Sequence, residues 1–411
     1  MNEAPPNRCR DNTRSASRKP LARAVSAAVI AGSLSTPAFS QTLEEVIVTA
    51  TKRATSVQDV PLAITALSGD FVNKVNLDDV KDLVSFTPGV TGNSQDSFID
   101  AISVRGIRTQ DFGVGGDPSS AFFKNELSEG RNGSAVTSLY DIERAEILRG
   151  PQGFLFGRNS IGGAFSVHTR KAEVGGTNSG YVDIDIAERD RFVGEGAVNV
   201  PVSESFAMRF AGYYSTEGPF AKNYFPGRGK EIEHDKWALR WSTAFETERL
   251  SINTFLEYED REQSGSMYRA VDEGEIWEAF DAALGPVELR GSDEDLDSDI
   301  SFDDADEAKV ATFGMRIDYD FDFATLTSNT GYKDHEYYYS EDYDGTPLSI
   351  NTYQQDQEGD YFQQELRLTS NGEGPLNWYG GLSYYREEID TKFRSVGEED
   401  YFCQYYGYYY N

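Results

Sequence analysis

The sequence predicts two structural classes in one chain: a compact mixed α/β segment over residues 55–175, then antiparallel strands of a transmembrane β-barrel over residues 178–411. Two observations support the second class. Segments of roughly ten residues alternate between apolar and polar side chains, with charge on one face only, as strands that cross a membrane require. Short and long connections between these segments also alternate, a regularity that a soluble β-sandwich does not require.

In the α/β segment, apolar residues recur at helical spacing near residue 80, with Asn76 as a plausible N-cap and Pro88 as the stop. "AISVRGI" and "IERAEILRG" read as strands. Glycines crowd the stretch "GPQGFLFGRNSIGG", residues 150–163, which indicates tight turns or close backbone approach. A Walker-type phosphate loop is excluded, because its lysine and hydroxyl residue are missing.

About nine alternating segments follow, of which "YVDIDIAE" is the clearest. Short connections are predicted at 202–205, 246–249, 321–324 and 371–375. Long connections are predicted at about 215–235, 261–308 and 338–359. Aromatic residues towards the segment ends fit interfacial girdles; they are Tyr319, Tyr332, Trp378, Tyr384 and Tyr385.

Nine strands is an awkward number for a membrane barrel. Single-chain bacterial barrels have even strand numbers, and an open sheet edge cannot face lipid. A barrel that encloses a globular segment of this size belongs to the class of about 22 strands. The barrel is therefore expected to be incomplete, with about nine of a presumed 22 strands.

Composition and charge narrow the function further. The formal charge of −31 argues against nucleic acid as a partner, since phosphates would be repelled. Two cysteines, Cys9 and Cys403, cannot build a disulfide framework, and three scattered histidines offer no ligand-like spacing. We therefore expect no metal site, no cofactor and no catalytic residues, and the chain is not expected to be an enzyme.

Residues 1–40 are predicted to be a cleaved signal peptide. A basic region precedes the short apolar run "AVSAAVIAGSL", and small residues stand at Ala38 and Ser40 before Gln41. The apolar run is too short to span a bilayer as a helix.

A series of motifs carries a family resemblance. The order "EEVIVTATKR", "SVRGIRT", "VGGDPSSAFF" and "YDIERAEILRGPQGFLFGRNSIGGAFSVHTRK", followed by barrel strands, resembles the plug domain and first barrel strands of TonB-dependent outer-membrane receptors. The resemblance implies an α+β plug domain over 55–175 inside a transmembrane barrel, located in the cell outer membrane of a Gram-negative bacterium.

The resemblance also implies a partner-binding segment, the TonB box, within residues 41–54. Its residues are Glu44, Glu45, Val46, Ile47, Val48, Thr49 and Ala50. An extended β-branched peptide with free backbone groups can add a strand to the exposed sheet edge of the TonB energy-transducing protein. The alternative is that this stretch is the first strand of the globular domain.

A second set of residues is expected to lie at plug–barrel contacts. The set comprises Arg105, Gly106, Arg149, Gly150, Gly153, Gly157, Arg158, Gly162 and Gly163. The glycines would allow close packing, and the arginines would pair with acidic side chains on the wall. Such ion pairs could act as a latch that opens when the plug moves, or they could only hold the plug in position.

Two features depart from this pattern or stand outside it. The segment "DPS" is followed here by "AFFKNELSEGR", and Phe154 stands where a small or polar residue is commoner in the family. These differences leave the identity of the transported ligand open. The acidic run at 292–307 lacks the spacing of an EF-hand loop, which favours a solvated loop over a cation site.

The leading hypothesis is energised import of a large solute, with an iron–siderophore complex as the default cargo. Family members also take cobalamin, metals and glycans. The alternatives are a passive porin-like barrel and a truncated, non-functional receptor fragment. The expected partners are the TonB protein, outer-membrane lipid and the transported ligand.

Overall fold

The computed structural model describes most of the chain after residue 46. The described residues are 47–49, 52–53, 55–92, 102–109, 116–271, 277–278, 280, 288–292, 294–299, 304–371 and 376–410. The predicted signal peptide lies outside them, as do four of the seven predicted TonB-box residues: Glu44, Glu45, Val46 and Ala50.

The first half is a small α+β unit. Its strands and helices are β1 (Ile47–Val48), β2 (Thr55–Ser56), β3 (Ile64–Ser68), α1 (Gly69–Lys74), β4 (Val90–Thr91), β5 (Ser103–Val104), β6 (Ser120–Lys124), β7 (Leu127–Ser128), β8 (Ile142–Arg149), α2 (Gly153–Phe156) and β9 (Gly163–Thr169). Five of these strands form one sheet in the order β3-β8-β9-β6-β7, in which only the β6–β9 pair is parallel. The side chains of Val72, Leu83, Ile147 and Phe165 are among those that form its apolar core.

The helix predicted near residue 80 is wrong in type and in its cap. The α-helix of this region is α1, capped by the Ser68 side chain. Residues Val80–Phe86 form a 3₁₀-helix whose N-cap is Asp79, and Asn76 has a positive φ of 51° outside it. Asp79 and Asp82 form a reciprocal capping box, in which each side chain accepts backbone N–H groups that the first turn leaves unpaired. That local hydrogen bonding decides where the turn starts.

The second half is a nine-stranded antiparallel sheet, as predicted. Its strands are β10 (Ser179–Ala187), β11 (Arg191–Pro201), β12 (Phe206–Glu217), β15 (His234–Glu246), β16 (Leu250–Gln263), β17 (Ala305–Asp320), β18 (Ala324–Asp342), β19 (Thr352–Ser370) and β20 (Tyr379–Val396). Each strand pairs with its neighbour in chain order. A short pair, β13 (Ala221–Lys222) and β14 (Lys230–Glu231), lies in the connection before β15, and α3 (Glu399–Tyr410) follows β20. We call the nine-stranded sheet the wall and the α+β unit the plug.

The connections of the wall fall on two sides. Short connections join β11 to β12, β15 to β16 and β17 to β18, on the side called lower here, while most upper connections are longer. The predicted loop over 338–359 is much shorter, because β18 continues to Asp342 and β19 begins at Thr352. The sequence "KDHEYYYSED" is polar on both faces, so its strand character is not visible as apolar alternation.

The two faces of the wall differ in chemistry. Side chains such as Arg240 and Glu257 point to the plug and are buried, while Leu239 and Leu256 beside them are exposed on the other face. Tyr385, expected in an outward girdle, points to the plug, where its ring meets Arg158. No described helix has both the length and the apolar character needed to cross a bilayer.

Candidate functional site

The residues Ile47–Thr49 lie on the lower side of the plug. Ile47 and Val48 pair with Ser56 and Thr55 in a two-stranded antiparallel ladder. Val48 is completely buried and packs with Leu148 of β8 and Ala164 of β9, whereas Ile47 is 45% exposed. The strand therefore has a partner within the chain, and its alternation points one side chain into the plug.

Polar contacts continue this attachment beyond Val48. The Thr49 backbone N–H donates to Glu146 Oε1 at 3.0 Å, and Arg144 donates to the Thr49 hydroxyl at 3.0 Å. Glu146 is 1% exposed and also accepts from Arg144 at 2.8 Å. His168 stands beside this group, with Nε2 3.6 Å from Glu146 Oε1. Burial and the charge of Arg144 lower the pKa of His168 to about 3, so the ring is neutral at pH 7 and makes no ion pair.

At mid-height the plug and the wall share a buried network of charges. Arg240 of β15 donates to Glu257 at 3.0 Å and to Asp141 at 3.2 Å. Lys124 of the plug donates to the same Glu257 at 3.0 Å, and Arg209 of β12 binds Asp141 at 2.5 Å. Arg240, Glu257 and Asp141 are each at most 1% exposed in their side chains. Removing one member of such a network leaves an uncompensated buried charge, which costs about 3–5 kcal/mol.

Tyr140 completes the network. Its hydroxyl donates to Glu257 at 2.7 Å, and the guanidinium of Arg240 lies 4.5 Å from its ring centroid. The Tyr140 ring also stacks on Tyr213 of β12, with 5.6 Å between the ring centroids. The plug thus inserts an aromatic side chain and two charged side chains into complementary positions on three wall strands.

A second ionic group joins the two parts on the lower side. Glu126, in the turn between β6 and β7, pairs with Arg316 of β17, with Arg367 of β19 at 3.4 Å and with Lys52 at 3.7 Å. Burial opposes ionisation of Glu126, but the charges of Arg316 and Lys52 outweigh it and lower its pKa to about 2. Lys52 follows the predicted TonB box, so this group also ties the lead segment to the wall.

A third group lies higher. Lys333 of β18 donates to Glu129 at 2.5 Å and to the Ser134 carbonyl at 3.1 Å, and both acidic and basic partners are buried. Here the plug backbone runs very close to the wall. A Cβ atom on Gly133 would lie 2.3 Å from the Tyr337 ring, and Gly133 has a φ of 77°. Only glycine fits such an approach.

The upper margin has a more exposed group. Arg131 binds Glu387 of β20 at 2.5 Å, and Arg158 binds the other oxygen of Glu387 at 2.7 Å. The Arg158 guanidinium lies 4.2 Å from the Tyr385 ring centroid, and its side chain is 46% exposed. One carboxylate therefore holds two plug arginines, one of them in partial contact with solvent.

The remaining residues predicted at plug–barrel contacts lie in several places. Arg149 donates to the Pro88 carbonyl at 2.9 Å, within the plug. Arg105 has a φ of 53° and approaches the backbone of Gly150, also within the plug. Added Cβ atoms on Gly162 and Gly163 would meet plug atoms, and those on Gly106, Gly153 and Gly157 would meet open space. Gly153 and Gly157 line a cavity of about 510 Å³ with Arg158 and β20, so their role in contact with the wall stays a prediction.

Sequence reasoning missed most of the plug residues that bind the wall. Lys124, Glu126, Glu129 and Arg131 lie in the segment "AFFKNELSEGR" and Asp141 lies in the motif "YDIERAEILRG", but neither stretch indicates that these charges meet the wall. A signal existed on the wall side, because Arg240 and Glu257 stand on the predicted polar faces of their strands. Which plug residues would meet them depends on docking that the sequence pattern does not contain. Among the described residues, no group of three or more His, Cys, Asp or Glu side chains could hold a metal ion.

The plug and the wall each have counterparts among known proteins. Residues 56–164 match the family model of the TonB-dependent receptor plug domain. The ferripyoverdine receptor of Pseudomonas aeruginosa is 27% identical over 163 residues, which cover 40% of this chain and 19% of that protein. The iron-regulated outer membrane virulence protein of Vibrio cholerae is 32% identical over 145 residues, or 33% of this chain and 22% of that protein.

Solved structures agree in fold. The ferric yersiniabactin uptake receptor of Yersinia pestis aligns with a TM-score of 0.64 at 17% identity, over 81% of this chain and 49% of that one. The ferripyoverdine receptor of Pseudomonas aeruginosa aligns with a TM-score of 0.64 at 15% identity, over 85% and 45%. The chain thus spans about half the length of these receptors.

These findings confirm the family resemblance and the fold class. Residues 56–164 are a TonB-dependent receptor plug domain, and the strands that follow have the fold of the barrel in such receptors.

Proposed function

We propose that this chain acts in energised uptake of a large solute, with a ferric siderophore as cargo, across the outer membrane. In this proposal residues 1–40 are a signal peptide, 41–54 carry the TonB box and linker, 55–175 are the plug and 178–411 are part of the barrel. The partners are the TonB protein, outer-membrane lipid and the cargo. No bond in the cargo is made or broken.

The observation that carries the proposal is the match of residues 56–164 to the receptor plug domain, to which residues 47–49 are attached. Val48 packs on β8 and β9, the strands that flank the predicted contact loop Arg149–Gly163. A force applied to the segment would therefore act first on the plug strands and then on the ion pairs of Glu126. Exchangeable ion pairs, in place of a continuous apolar seal, allow a plug to move and return.

The cargo class is supported by the relatives. The names of the matched proteins include a ferripyoverdine receptor and a ferrichrome outer membrane transporter. We infer a ferric chelate for this chain on that basis, with no preference among chelate types.

Radio-iron uptake into cells that express the chain tests the proposal. Proline at residue 47 removes a backbone donor and prevents strand addition, so Ile47→Pro should abolish uptake of ferric pyoverdine or ferric yersiniabactin. Ile47→Thr keeps the N–H group and the β-propensity and serves as the matched control. A protonophore should also stop uptake.

Two outcomes would contradict the proposal. Uptake that survives both Ile47→Pro and the protonophore would favour passive flow. Absence of uptake with either chelate, from cells that display the chain in the outer membrane, would remove the cargo assignment.

A further inference from the structure

The residues on the outward face of the wall indicate how its strands are tilted. Strand pairing places residues side by side in rows that run across the sheet. One such row is Leu239, Tyr258, Ala311, Asp334, Asp360 and Glu388. The first three members are apolar or aromatic and the last three are charged. The boundary between apolar and charged residues therefore does not follow the rows.

On six neighbouring strands, the first charged residue above the apolar positions can be read directly. From β15 to β20 these residues are Asp235, Asp260, Lys309, Asp334, Asp360 and Arg386. The row that contains Asp235 reaches β20 at Lys392, so the boundary has moved six residues down the strands by β20. It moves in one direction throughout. In β10, β11 and β12 no outward position is charged, as the same drift requires.

This drift has a simple geometric meaning. Six residues correspond to about 20 Å along a strand, and the five steps from β15 to β20 correspond to about 24 Å across the sheet. If the boundary lies in a plane, the ratio of these two lengths means that the strands tilt by about 40° from the normal to that plane. Strands of transmembrane barrels tilt by about 35–45°.

The height of the apolar band agrees with that tilt. β15, β16 and β17 each carry five consecutive outward positions without charge, which are Trp237–Phe245, Leu250–Tyr258 and Ala311–Tyr319. At a tilt of about 40° such a stretch spans about 21 Å, close to the apolar band of about 25 Å in known barrels.

Polar side chains inside the band bind one another. The hydroxyls of Thr243 and Thr254 lie 2.7 Å apart. Thr330 donates to Gln364 at 2.7 Å, and Gln364 donates to Ser328 at 3.0 Å. A polar group without water needs an internal partner, and these pairs meet that requirement of a lipid-facing surface.

We propose that hydrocarbon chains of a bilayer cover this outward band, and that the headgroup plane crosses the wall along Asp235, Asp260, Lys309, Asp334, Asp360 and Arg386. The inference rests on the proposed membrane location and deepens it. Above this line β18, β19 and β20 continue for eight to ten residues to their upper ends, so they project into water. β10, β11 and β12 end close to the continuation of this line.

Spin labels test the slope of the line. Single cysteines replace Leu239, Ala311, Asp334 and Asp360, in a background with Cys9→Ser and Cys403→Ser, and the full chain is reconstituted in phosphatidylcholine vesicles. Ala311 and Asp334 are direct register partners. Labels at 239 and 311 should collide more with oxygen than with a polar nickel chelate, and labels at 334 and 360 should show the reverse order.

Each alternative result is decisive. Equal ratios at all four positions would overturn the slope, because a boundary parallel to the rows gives that result. Preference for the nickel chelate at every position would overturn the membrane contact. The two-level pattern in a chain that fails in iron uptake would leave the boundary intact and contradict only the proposed transport.

Discussion

The middle and the upper margin of the plug–wall interface use the same chemistry with different burial. At the middle, Arg240 joins Glu257 and Asp141 in full exclusion from solvent. At the margin, Arg158 reaches Glu387 while almost half of its side chain stays exposed. Charge pairing depends on burial for its strength, so the first group fixes the plug and the second can open at little cost.

The largest expected effect comes from Arg240→Met, which takes from the buried carboxylates of Asp141 and Glu257 the cation that they share. We expect a loss of about 3–5 kcal/mol in the free energy of unfolding, measured by urea denaturation in detergent. Arg386→Met is the matched control, because Arg386 is solvent-exposed on β20. Equal losses in the two variants would show that the buried network around Arg240 does not contribute more than an exposed charge on the outward face.

The attachment of the N-terminal segment gives the next effect. Val48→Asp places a carboxylate in the apolar site formed with Leu148 and Ala164, and should release the segment with a loss of about 2 kcal/mol, or roughly thirtyfold. Protease cleavage at Lys52 and Arg53 measures release. Ile47→Asp alters the exposed neighbour and should leave cleavage almost unchanged. Fast cleavage in the wild-type chain would contradict the docked position.

The pH dependence of the same attachment follows from His168. Its pKa is lowered to about 3 from an ordinary value of 6.5, so the unfolded state binds the proton more readily. The stabilisation is present above pH 6.5 and is lost as the pH falls below it. Between pH 7 and 5.5 we expect a loss of about 1 kcal/mol in plug stability, which His168→Gln should abolish. A flat profile in the wild-type plug would show that His168 is not held neutral.

The smallest effect is expected at the margin. Arg158→Ala leaves Glu387 paired with Arg131, and the lost pair is partly in solvent, so the change should stay below about 1 kcal/mol. Salt should weaken the wild-type contribution further. A loss that matches Arg240→Met would place the main clamp at the upper margin.

Much of the fold was accessible from the sequence, because it follows from local patterns. Alternation such as that of Val182, Ile184 and Ile186 predicted the nine strands, and charge on one face predicted a membrane wall. The 3₁₀-helix at Val80–Phe86 was not predicted, since side-chain capping by Asp79 prevailed over apolar spacing. The upper parts of β18 and β19 were hidden because both of their faces are polar.

The site was less accessible. Arg158 was expected to meet an acidic wall residue, and the structure places it against Glu387. The buried network around Arg240 was not foreseen, since it joins residues about 100 positions apart along the chain. Such pairs depend on how two units dock, and single-sequence patterns describe only each unit by itself.

Hydrogen exchange of the membrane-reconstituted chain tests most directly whether the plug is clamped at mid-height. The plug segment that carries Ser134–Asp141 contacts the wall through Arg240, Arg261 and Lys333. Its amides should exchange as slowly as those of β8 in the wild-type chain, and much faster in Arg240→Met but not in Arg386→Met. Rapid exchange of this segment in the wild-type chain, with β8 still protected, would contradict the clamp.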